Sequence, residues 1–135
     1  MSRSGYVEDC LPLELGRWRA QVNNSIRGRR GQRFLKELLA ALESLPSQEL
    51  IAGELVTATG EVCAIGAVCQ ARSIDVSNVD YDDPDQVAAK VGISWQMAAE
   101  IVFMNDEYSL TEGPSTRWSR MLRWAKKHIK EKDAE

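Results

Sequence analysis

The chain has 135 residues, 44% of them hydrophobic, with 17 Lys and Arg against 20 Asp and Glu and a formal net charge of -3. That size suits one compact domain burying roughly two thirds of its unfolded surface. No apolar run approaches the roughly 20 residues that a membrane-spanning helix needs, and Met1 to Pro12 lack the apolar core of a secretory leader, so a cytoplasmic protein with no membrane contact is expected. Three cysteines, Cys10, Cys63 and Cys69, cannot all pair within the chain, and reduced thiols fit a reducing compartment.

The net charge hides an uneven layout. Residues 1–36 hold 8 Lys or Arg against 3 Asp or Glu, residues 37–112 hold 2 against 14, and residues 113–135 hold 7 against 3. Basic ends around an acidic middle describe either complementary faces that attract one another or a cationic surface for an anionic partner.

In chain order, Leu11, Leu15, Trp18, Val22 and Ile26 fall at helical spacing, which predicts an amphipathic helix over 13–27 with Arg17 and Arg19 in solvent. Gly28 ends it. Arg27-Gly28-Arg29-Arg30-Gly31-Gln32-Arg33 then reads as a loop flexible at its glycines, dense enough in charge to meet phosphates. A solvated helix connection is the alternative, since no aromatic residue is interleaved to stack on bases. Phe34, Leu35, Leu38, Leu39, Leu42 and Leu45 form the clearest helical stripe, ended by Pro46. Glu54 to Ala58 and Glu61 to Cys63 flank Thr59-Gly60 and predict a small β-hairpin leaning on helices.

Cys63 to Arg72 is a helix poor in bulk, with Ile65, Val68 and Cys69 inward. Asp83-Pro84-Asp85 starts the next helix, over 84–91, with Asp83 as N-cap and Pro84 at its first position. Gly92-Ile93-Ser94 separates it from a helix over 94–105, buried through Met97, Ala98, Ile101 and Val102. The last helix runs from Pro114 to about residue 131, with Trp118, Met121, Leu122, Ala125 and Ile129 inward and Lys126, Lys127, Lys130 and Lys132 at its negative end. The fold expected is mainly α, a single domain over residues 1–135 of about five helices with a small β-hairpin, loosely ordered over 1–12 and frayed over 132–135.

Few residues offer chemistry. Val87 to Ile101 has helix-turn-helix spacing, but Asp80, Asp82, Asp83, Asp85 and Glu100 surround it where a groove-reading helix wants cations. Cys63, near a helix start, is the one plausible nucleophile and lacks a base, the sole histidine being His128 among lysines. Cys63 and Cys69 lie six apart with no partner pair, and the acids of 80–85 lack the glycine and bidentate glutamate of a calcium loop. No catalytic residue, metal or cofactor is expected. Two surfaces are: Arg27, Arg29, Arg30 and Arg33 as contacts to an anionic partner, and Cys63, Asn105, Asp106 and Glu107 as a small recognition patch. For the last three, a plain C-terminal helix cap is the alternative.

Gly31-Gln32, Phe34 to Leu42, Leu50 to Leu55, Gly60 to Ala67, Glu100-Ile101 and Asn105-Asp106-Glu107 together resemble uncharacterised short proteins of proteobacteria and their phages and prophages, over about residues 27–129. The resemblance supplies no activity. It implies mobile-element biology, where small proteins act by binding host or phage machinery. The expected function is therefore a non-enzymatic accessory protein that binds a protein partner, such as a host defence component. The alternatives are nucleic-acid binding through the basic loop and last helix, and a thiol enzyme using Cys63.

Overall fold

The computed structural model describes residues 12–106 and 112–130. Expectations placed on Cys10, Glu107 and the chain ends fall outside them. The described residues form six helices: α1 (Pro12–Arg27), α2 (Arg29–Glu43), α3 (Ala64–Ala71), α4 (Pro84–Val91), α5 (Trp95–Asp106) and α6 (Pro114–His128).

The leucine stripe of α2 is the axis of the packing. Leu35, Leu38 and Leu42 are fully enclosed, and burying each such side chain is worth roughly 1.5–3 kcal/mol. One face of α2 meets α1, another α3, and a third α6. The α2–α6 pair is antiparallel: the Trp118 indole donates to the Leu42 carbonyl at 2.9 Å near one end, and Gln32 bonds to the His128 carbonyl at the other. Helix α5 fills the remaining side, packed on α1, α3 and α4.

Several local signals act as their residue types require. The Asp83 side chain caps α4 by accepting from the Asp85 amide at 3.0 Å, and the Ser94 hydroxyl accepts from the Met97 amide at 3.1 Å at the head of α5. Gly92, left-handed at φ 80, ends α4. Across it α4 and α5 are bent by 106°. Among the described residues no single helix is long and apolar enough to cross a membrane.

The expected hairpin is replaced by a single isolated antiparallel bridge, Val56 to Val62, and no strand forms among the described residues. The ladder has nowhere to continue. The bridge is flanked by the Thr57 amide bonded to the Glu61 carbonyl at 2.8 Å and the Cys63 amide bonded to the Leu55 carbonyl at 3.1 Å, and directly after Cys63 the chain turns into α3.

Helix α1 also departs from its stripe. Leu15, expected inward, is 40% exposed. Arg17 is exposed as expected, and Arg19, whose side chain is 40% exposed, also meets the buried Glu100 carboxylate of α5 at 3.1 Å. Trp18, Val22 and Ile26 do face the core.

Candidate functional site

Two polar regions stand out, one inside the molecule and one on its surface. The inner one lies where α3, α5 and α6 meet the 50–55 segment. The Asn105 side chain accepts from the Ala64 amide at 3.1 Å, at the first turn of α3. Its amide nitrogen donates to the Ile51 carbonyl at 2.9 Å and to Asp106 Oδ1 at 2.6 Å. The other carboxylate oxygen of Asp106 accepts from the Tyr81 hydroxyl at 2.8 Å and the Gly53 amide at 3.3 Å. Arg117, buried on α6, donates to the Asn105 carbonyl at 2.8 Å and the Leu50 carbonyl at 3.1 Å. Glu112 lies 3.8 Å from it and is held more closely by Arg120, whose guanidinium keeps the Glu112 carboxyl below its usual range.

Cys63 sits at the centre of this joint as a cap. Its sulfur accepts from the Gly66 amide at 3.3 Å. Burial pushes its thiol up to about 12, so the thiolate that attack or metal ligation requires is scarce at neutral pH. Gly66 is pinned as well: a Cβ there would lie 1.8 Å from the Leu55 carbonyl oxygen. Glycine at this position thus admits the backbone of the bridge segment.

The recognition patch expected at Cys63, Asn105 and Asp106 is not a surface. Their relative exposures are 1%, 1% and 5%, and their polar atoms are engaged with one another and with backbone. A buried polar group must find such partners, and these three do. Among the described residues no group of three or more His, Cys, Asp or Glu is arranged to hold a metal.

The outer region is the basic stretch, and it is helical rather than a loop. Only Gly28 separates α1 from α2, so Arg29, Arg30 and Arg33 stand on the first turns of α2 and Arg27 on the last turn of α1. Gly31 is a contact and not a hinge: a Cβ there would lie 2.0 Å from the Ser25 carbonyl oxygen, so glycine is what lets the two helices turn this tightly.

Gln32, between the arginines, is 5% exposed. Its amide nitrogen donates to the Ile26 carbonyl at 2.8 Å and the His128 carbonyl at 2.9 Å, and its oxygen accepts from the Lys130 amide at 2.9 Å. One buried amide therefore gathers the end of α1, the start of α2 and the end of α6. Neither the structural role of Gln32 nor that of Arg117 is visible in the sequence; the one available sign is that each is a polar residue beside an apolar helical stripe.

The consequence is a cationic corner. Arg27, Arg29, Arg30, Arg33, Lys126, Lys127 and Lys130 are all exposed, and none joins an ion pair among the described residues. The lysines of α6 suit the negative end of their helix. Arg29 and Arg30 oppose the positive end of theirs, which carries no acid in its first turn and no capping side chain. A cleft of about 210 Å3 separates this corner, at Asn24, Ser25, Arg29 and Arg30, from Ser94 of the α4–α5 turn and Met97 of α5.

Helix α5 itself is unsuited to groove reading despite its helix-turn-helix spacing. None of its twelve residues is exposed, whereas a recognition helix must present a free face to base edges. Comparison of the chain with protein-family models, curated proteins and solved structures gives no match.

Proposed function

We propose that this chain is a non-enzymatic accessory protein that binds nucleic acid through the corner formed by Arg27, Arg29, Arg30, Arg33, Lys126, Lys127 and Lys130. The observation that carries the reading is the Gln32 amide, bonded at once to Ile26, His128 and Lys130. It unites two basic segments that lie about a hundred residues apart and gives them a fixed mutual geometry. Cations placed against the positive end of α2 weaken that helix, and departures from local electrostatic preference concentrate where a chain binds something. An accessory role in mobile-element biology is what the sequence resemblance to short phage and prophage proteins implies.

The test is fluorescence anisotropy with labelled nucleic acid. Binding at roughly 50 mM salt that weakens steeply by about 200 mM is the expected outcome. Absence of binding at the lower salt, with the fold intact, would overturn the reading.

A second reading, a protein partner such as a host defence component, is favoured by a different observation. Met104 and Trp124 floor a shallow and mostly apolar groove of about 690 Å3, rimmed by Arg120, Arg123, Lys126 and Lys127. A Met104→Asp variant that keeps its nucleic-acid affinity but loses a partner captured by the wild type would establish this reading.

A further inference from the structure

We infer that the nucleic acid taken by the cationic corner is a duplex, gripped by its phosphate backbone without reading of sequence. This rests on the nucleic-acid reading above and adds the class of ligand. Three observations carry it.

Six of the seven cations stand on the ends of three helices locked together by one buried amide, and the seventh, Lys130, is tied to that amide through its own backbone N–H. A rigid array suits a rigid lattice of phosphates, and a duplex supplies one charge per about 1.7 Å of its axis. Single strands are held differently, by aromatic platforms on which successive bases stack. The described aromatic side chains are all at least partly buried, and Trp124, beside Lys126 and Lys127, lies against the His128 ring with centroids 4.7 Å apart. Finally, the element whose spacing suggests base readout, α5, has no exposed residue among its twelve, so the side chains of this corner can reach the backbone while α5 offers no free face to base edges.

The experiment compares, by anisotropy at one salt concentration, two blunt duplexes of about 20 base pairs with unrelated sequences and the single strands derived from them. We expect the two duplexes to bind within about threefold of each other and at least about tenfold more tightly than either strand. The duplex affinity should fall with salt at a log–log slope between about -3 and -6, set by 0.9 per phosphate neutralised. Arg29→Glu/Arg33→Glu should weaken duplex binding at least about tenfold, and Lys126→Ala/Lys127→Ala should reduce the slope by about 2. Gln96→Ala, on α5, should change neither. Circular dichroism of each variant keeps a folding defect separate from a binding defect. Single strands bound as tightly as duplexes, or one duplex preferred by more than about tenfold, would overturn this inference while leaving nucleic-acid binding standing. Failure of every probe to bind would overturn both.

Discussion

The inner joint and the outer corner hold comparable numbers of polar side chains and use them in opposite ways. At the joint, Asn105, Asp106 and Arg117 are buried and bonded to named partners. At the corner, seven cations face solvent and only Gln32 beneath them is spent on structure. Polar residues whose hydrogen bonds are closed within the chain describe how it folds; charges held near one another without ion-pair partners among the described residues describe what it meets.

If that contrast is right, small changes at the joint are costly. Asn105→Leu leaves the Ala64 amide and the Ile51 carbonyl without their partner and should destabilise by about 2–5 kcal/mol. Gly66→Ala, which presses a Cβ against the Leu55 carbonyl, should cost about 1–3 kcal/mol. Urea denaturation measures both, and a Gly66→Ala midpoint equal to the wild type would mean that the bridge segment yields freely.

A subtler probe of the joint is pH. The Cys63 thiol is raised from 9.0 to about 12 by burial. The folded state therefore stays protonated where the unfolded state ionises, so its contribution is complete below pH 9 and disappears as pH rises towards 12. By linkage the loss reaches at most about 4 kcal/mol. Cys63→Ser, which can still cap α3 but does not titrate there, should flatten the alkaline decline of stability relative to wild type. An identical decline in the two proteins would contradict the buried thiol, as would rapid iodoacetamide labelling of native Cys63.

Much of the helical skeleton was legible in the sequence because its signals are local. The leucine spacing of α2, the Asp83-Pro84 start of α4 and the glycine that ends it act over a few residues. The misreadings arose where distant backbone decides. Gly31 looked like a flexible loop glycine, and only the tertiary fold brings the Ser25 carbonyl against it, as it brings the Leu55 carbonyl against Gly66. The β-branched residues of 54–62 favour strands, yet pairing across the turn stops at two bonds, Thr57 amide to Glu61 carbonyl and Cys63 amide to Leu55 carbonyl, because the chain enters α3 directly after Cys63. Asn105 and Asp106 could be named as important but not as buried, because partners on α3, α6 and the 50–55 segment are far away in sequence. The basic corner needed Gln32, whose role depends on the end of α6.

The smallest expected effect marks the boundary between the two regions. Arg72 grips Glu37 through two bonds of 2.6 and 2.5 Å and also donates to the Val91 carbonyl. Its guanidinium holds the Glu37 carboxyl below its usual range. Both side chains are about a third exposed, so Arg72→Ala should cost about 1 kcal/mol or less. A larger loss would show that surface charge supports this fold more than the comparison of joint and corner allows.

The most direct measurement takes Arg29→Glu/Arg30→Glu and determines its melting temperature and its duplex affinity in the same low-salt buffer. Acids at the head of α2 match the helix dipole, each worth about 0.3–1 kcal/mol. The account therefore predicts a melting temperature equal to or above that of wild type together with a loss of affinity of at least about tenfold. A variant that binds as the wild type does would contradict it, because the corner would then be only a solvated helix junction.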